Sequence, residues 1–184
     1  MKRFREYAIA FNGLKDGIHN FSYSVDGRFF NLFENPLYED AKVQVEVELN
    51  KGNQMLIFDF HMQGTVASVC DNCLEPLEVP VDCNGKVYVK FGEVYDEPAE
   101  DVVVLPHEEH EFNVAQIIYD LIVTSLPIRY IHPPDANGNP TCNPEMLQKL
   151  SEYLVDDAPV SNKEREHEED PRWSELKKLI DKNK

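Results

Sequence analysis

Residues 42–61, KVQVEVELNKGNQMLIFDFH, decide the fold. Val43, Val45, Val47 and Leu49 fall on one face; Gln44, Glu46 and Glu48 fall on the other. A period of two marks a half-buried antiparallel strand. Gly52-Asn53 then reads as a hairpin turn, and residues 54–61 as its return strand with Leu56, Phe58 and Phe60 inward. Further on, Gly64 predicts a bulge or bend before a strand at 66–70. Residues 77–83 alternate again. Asn84-Gly85 predicts a second tight hairpin, with 86–91 as its return. Residues 102–105 make a short apolar strand. Toward the N-terminus, 21–25 and 7–11 are weaker strands separated by a turn-rich segment.

The period changes at residue 113. Asn113 is a good N-cap, and Val114, Ile117, Ile118, Leu121 and Ile122 follow at helical spacing until Pro127 stops them. Residues 129–144 hold four prolines and Asn137-Gly138, which predicts an irregular loop. Pro144 opens a second helix near 145–154, with an apolar stripe of Met146, Leu147, Leu150 and Leu154. Residues 155–169 are too polar to order themselves and predict a linker. From Asp170-Pro171 a short amphipathic tail helix runs to 184, with Trp173, Leu176, Leu179 and Ile180 on one face. The expected fold class is α+β. An antiparallel β-rich sheet or small barrel fills a domain of residues 1–154, one central helix packs on it, and a second short helix follows. The acidic linker then tethers the C-terminal helix.

At 184 residues the chain can bury a core without disulfide or metal. Its net charge of −16 argues against a face that coats nucleic acid, which needs a basic footprint. The charge is uneven. Residues 91–128 hold nine acids and no Lys or Arg, whereas residues 171–184 hold five bases against two acids. No apolar run is long enough for a membrane helix. The first residues lack a secretory h-region, so the expected location is cytoplasmic and the cysteines are expected to be reduced.

Cys70-Asp-Asn-Cys73 is the sharpest motif. Two thiolates at this spacing can chelate a tetrahedral metal or serve as a redox dithiol. Strand signals on both sides disfavour the redox use, which normally sits in a βαβ unit. His132 and Cys142, in the proline-rich loop, could complete a Cys₃His site for one zinc ion and pin the loop to the sheet. Packed thiols without metal are the plainer alternative. Cys83 reads as a sheet residue. His107 and His110 in PHEEHEF lack the i, i+4 spacing of a catalytic zinc helix and read as part of a solvated connector. Phe29, Phe30, Leu32 and Phe33 read as core packing. No nucleophile elbow, phosphate loop or dinucleotide fingerprint is present in the sequence, so no enzyme and no small-molecule substrate is expected.

The segment GTVASVCDNCLEPLEVPV, the helix FNVAQIIYDLIVTSLPI, the loop holding Cys142 and the terminal DPRWSELKKLI occur in that order. In this the chain resembles the YceD-like family, also called large ribosomal RNA subunit accumulation protein. The resemblance implies a factor needed for normal 23S ribosomal RNA levels, through processing or large-subunit assembly, without a catalytic activity. In many relatives the loop after the helix carries further cysteines suited to zinc; here Cys142 stands alone, with His132 as a substitute. By position the family's motif falls on Cys70, Cys73 and Cys142 and on Asp170, Pro171, Arg172, Trp173 and Leu176.

The leading functional expectation is a non-enzymatic ribosome-biogenesis factor acting through a basic ribosomal or rRNA-handling protein. The acidic stretch with Glu108, Glu109 and Glu111 would speed that encounter by charge. The tail would dock by Arg172, Trp173, Leu176 and Ile180, with limited rRNA contact through its bases. A solvated acidic surface is the plain alternative for the first. Docking of the tail on its own domain is the alternative for the second. A zinc-stabilised adaptor unrelated to ribosomes and a metal-dependent rRNA-processing nuclease are the other functional readings.

Overall fold

The computed structural model describes residues 4–33, 38 and 40–153. The expected linker at 155–169 and tail helix at 170–184 lie outside the described residues. Residues 1–148 make one compact unit; residues 149–184 make a second, of which 149–153 are described.

Strand β3 (Ala41–Lys51) and strand β4 (Met55–Val69) pair antiparallel, with Leu49 opposite Phe58 and Val43 opposite Gly64. The Gly52 N–H donates to the Met55 carbonyl at 3.0 Å and closes the expected turn. The alternation is reproduced in burial: Val43, Val45, Val47, Leu49, Leu56, Phe58, Phe60 and Met62 are all buried. Each such side chain contributes about 1.5–3 kcal/mol of apolar burial. Strand β2 (Gly17–Val25) lies beside β3, and β5 (Pro76–Gly92) beside β4. Strand β7 (Val102–Pro106) joins β5, and β6 (Asp96–Ala99) closes the far edge. The order β2-β3-β4-β5-β7-β6 is an open sheet among the described residues, not a barrel. It is also mixed and not purely antiparallel, because β5 and β7 run parallel. Strand β1 (Ala8–Ala10) and β8 (Glu111–Asn113) form a separate antiparallel pair.

Two turn signals resolve differently from expectation. Asn84-Gly85 makes no hairpin: β5 runs unbroken, with Asn84 opposite His61 and Gly85 opposite Phe60. The fifteen-residue β4 takes a partner along its whole length. Gly85 is small for a different reason, since a Cβ there would sit 2.5 Å from Leu121 Cδ1 of the helix packed above. Likewise 66–70 is no separate strand, because β4 continues through Gly64 with unbroken register on both sides. Gly64 has φ +157°, and a Cβ would fall 2.0 Å from the Lys42 carbonyl oxygen.

Helix α1 (Gly27–Phe30) is a single turn capped by Asp26, whose carboxylate accepts from the Arg28 N–H at 2.9 Å. It delivers Phe29 and Phe30 into the core, as their cluster suggested. Phe29 meets Tyr7 edge-on at 5.0 Å, and Phe33 stacks on Tyr119 at 4.1 Å. Helix α2 (Ala115–Ser125) buries Ala115, Ile118 and Ile122. Asn113 caps it from β8, its side-chain oxygen accepting from the Ala115 N–H at 3.0 Å. Helix α3 (Pro144–Tyr153) starts at the expected proline, with Asn143 accepting from the Glu145 N–H.

Candidate metal centre

The Cys-x-x-Cys segment is the turn between β4 and β5, the two longest strands of the sheet. The Cys70 N–H donates to the Glu75 carbonyl at 2.9 Å, and the Leu74 N–H returns to the Cys70 carbonyl at 2.8 Å. Leu74 closes this knuckle in the left-handed region, φ 60°, with its side chain exposed. The turn holds both thiols on one side, and Cys70 and Cys73 are buried.

The proline-rich loop is laced to that turn. The Asp71 N–H donates to the Tyr130 carbonyl, and the Tyr130 N–H donates back to the Asp71 carboxylate at 2.6 Å. Arg129 reaches the Asn72 side-chain oxygen at 2.6 Å, and Asn143 reaches Glu75 at 2.9 Å. The Tyr130 hydroxyl also lies 2.9 Å from that of Tyr38. Within the loop, Asp135 accepts from the N–H groups of Asn137 and Asn139, each at 2.8 Å, and Thr141 donates to the Pro133 carbonyl. These bonds bring His132 and Cys142 over the turn.

The four side chains named from the sequence therefore converge. Cys70 Sγ lies 3.7 Å from Cys142 Sγ. Nδ1 of His132 lies 3.4 Å from Cys73 Sγ and 3.7 Å from Cys142 Sγ. All four donor atoms are within 4.8 Å of one another. Ligands about 2.3 Å (sulfur) and 2.0–2.1 Å (nitrogen) from a tetrahedral ion are separated by roughly 3.5–3.8 Å. The Cys70–Cys142, His132–Cys73 and His132–Cys142 separations are close to that spacing. They do not match a disulfide, whose sulfurs are about 2.0 Å apart, and all four cysteines are free. The cluster can hold one metal ion. Met146 and Leu147 at the start of α3 pack against the three cysteines, which form a small apolar group of their own.

The two thiols are shifted in opposite directions. Burial raises the Cys70 thiol, but the backbone N–H groups of Asn72, Cys73 and His132, with the Cys73 side chain, outweigh it and bring Cys70 down to about 6. Burial raises Cys142, and hydrogen bonds to Cys70 and Cys73 raise it further. A bound cation would stabilise the thiolate form of these sulfurs.

The other sequence candidates do not join this site. Cys83 sits in β5, contacts the Leu121 carbonyl at 3.7 Å, and has its thiol pushed up by burial. His107 stacks on Phe91 at 6.2 Å. Glu108, Glu109 and Glu111 are exposed, as expected of a connector, although its end, Glu111–Asn113, pairs as β8 and buries Phe112. Arg172, Trp173, Leu176 and Ile180 lie outside the described residues. The lacing residues Arg129, Tyr130 and Asn143 carry no sequence motif, and Asp71 and Asn72 lie inside the Cys-x-x-Cys motif only as its unspecified middle positions.

A family model described as large ribosomal RNA subunit accumulation protein YceD matches residues 58–180. The chain belongs to the YceD family. The match begins inside β4 and takes in every donor of the cluster, all of α2 and α3, and most of the segment 170–184. It leaves out β1, β2, α1 and β3, the part of this YceD chain for which the sequence offered only a strand pattern. Neither curated proteins nor solved structures give a match to the chain.

Proposed function

We propose that this YceD protein is a non-enzymatic factor of large ribosomal subunit biogenesis that supports 23S rRNA accumulation through protein partners. The family match over residues 58–180 carries the reading. The net charge of −16 supports a basic protein, and not bare rRNA, as the main partner. The sequence of the tail, with Arg172, Trp173, Leu176 and Ile180, supplies apolar and basic side chains for a second contact.

Within the same reading, Cys70, Cys73, His132 and Cys142 hold one zinc ion. Three sulfurs and an imidazole suit zinc among the common divalent metals. Four protein donors fill a tetrahedron, which supports a structural cross-link between turn and loop over a hydrolytic centre with an open position.

The test is a sucrose gradient of a cell lysate at low and at high salt, blotted for the full-length protein. Co-migration with free large subunits or their precursors is expected at low salt, with release at high salt. A protein confined to the top of both gradients would overturn the reading.

A further inference from the structure

Beside the far edge of the sheet runs a groove of about 520 Å³, between β6, β7 and the first two turns of α2. Its floor is apolar: Val103 and Phe112 are buried, and Ile117 is half-buried. Its rim carries Glu97, Glu100 and Asp120. The side-chain partners of Glu97 and Asp120 are neutral. Tyr95 donates its hydroxyl to Glu97, and Gln116 donates to Asp120 at 2.9 Å. The ion pairs of the described residues, Arg28 with Asp26 and Lys86 with Asp59, lie elsewhere. No Lys or Arg occurs in residues 91–128 to neutralise the rim. A larger concavity of about 910 Å³ on the open face of the sheet differs, because there Glu46, Glu48 and Asp59 share the surface with Lys86 and His61.

An apolar trough edged by carboxylates that form no ion pair among the described residues selects a segment that offers cations and aliphatic side chains together. It repels phosphate, so RNA is a poor occupant. Pro98 lies on the edge strand β6 and has no N–H to donate, which disfavours capture by strand addition. Recognition is then by side chains.

We propose that this groove docks a lysine- or arginine-rich peptide segment with aliphatic residues between its cations. The proposal deepens the biogenesis reading and rests on it for the origin of the segment, a basic ribosomal protein. The cations meet Glu97, Glu100 and Asp120, and the aliphatic side chains fill the trough over Val103, Phe112 and Ile117.

The test uses full-length protein and a fluorescein-labelled synthetic peptide of alternating lysine and leucine, at low salt. The double variant Glu100→Lys/Asp120→Lys is compared with Glu46→Lys/Glu48→Lys, which changes the net charge equally on the other concavity. All four positions are exposed, and a circular dichroism melt checks that each variant folds. The groove variant is expected to bind at least about tenfold more weakly, and the control within roughly twofold of the wild type. Equal losses in both would mean attraction to net charge alone and would overturn the proposal, as would a loss confined to the control. Ile117→Gln, which leaves the charge untouched, is expected to weaken binding as well; unchanged binding there overturns the apolar part. Gradients separate this from the parent reading. If the wild type co-migrates with large subunits and the groove variant does too, docking in the groove fails and the biogenesis reading stands. If the wild type stays at the top while the peptide still needs the groove, the biogenesis reading and the ribosomal origin fall, and the groove's specificity stands.

Discussion

Cys70 and Cys142 stand 72 positions apart in the chain, yet their sulfurs lie 3.7 Å from each other. The first ends the β4 arm of the sheet, and the second ends a loop with no regular structure of its own. Holding them together is a long-range constraint, and it makes the cluster open to experiment.

Full-length protein is expected to carry one zinc per chain by elemental analysis, and Cys142→Ser is expected to lose it. Cys83→Ser, outside the cluster, is expected to keep it. Chelation should open residues 129–143 to protease and leave the far-ultraviolet dichroism of the sheet nearly unchanged, because the main core does not depend on the cluster. Metal-free protein with an equally protected loop would remove the zinc assignment.

Leu74 adopts φ 60° with its side chain 66% exposed, so the residue has the strain of the left-handed region and little packing to offset it. A left-handed non-glycine costs about 1–2 kcal/mol, and glycine returns part of that gain through its freer unfolded chain. Leu74→Gly should therefore stabilise by roughly 0.5–1 kcal/mol in urea unfolding. A loss of stability would show that Leu74 has a packing role.

Gly64 and Gly85 should respond unequally to alanine. At Gly64 the new Cβ would meet the Lys42 backbone oxygen at 2.0 Å, which cannot move without distorting β3. At Gly85 it would meet the end of the Leu121 side chain, which can rotate. Gly64→Ala should cost about 3 kcal/mol or more and Gly85→Ala about 1 kcal/mol. Equal costs by chemical denaturation would contradict the distinction.

Asp26 is held below the usual carboxylate range, first by the side-chain hydrogen bond from Arg28, and burial only partly opposes this. A depressed folded-state pKa gives stability that is present above the unfolded value, about 3.9, and disappears as pH falls through the folded value. Asp26→Ala should cost about 1 kcal/mol at neutral pH through the lost cap. That gap should narrow on acidification below about pH 4. Asp26→Asn keeps a capping oxygen and should remove the acid dependence. Melting curves across pH check both, and a gap constant down to pH 2 would refute the account.

How much of this was legible follows from how local each signal is. The alternation of Val43 to Leu49 and of Leu56 to Phe60 is a property of neighbours, and it placed the central hairpin and its inward face. The Asn113 cap and the helix to Leu126 were equally local. Gly85 misled because its smallness answers to Leu121, thirty-six positions away, and not to a turn. The parallel pairing of β5 with β7 left no trace in so short an apolar run. The donors of the cluster were legible as residue types, because thiols and imidazole in a proline-rich loop are chemically conspicuous. The Asp71–Tyr130 and Arg129–Asn72 bonds that bring them together were not, since polar loop residues resemble any solvated surface.

The pairing of β1 with β8 sets an order on synthesis. Ala8 lies opposite Asn113, the Val114 N–H donates to the Tyr7 carbonyl, and the Asn113 side chain reaches the Phe4 carbonyl. Strand β1 therefore leaves the ribosome well before its partner β8. Until residue 113 has emerged, a nascent chain leaves the backbone of β1 without its β8 partner, and a translational pause before that point would lengthen the window for misassociation.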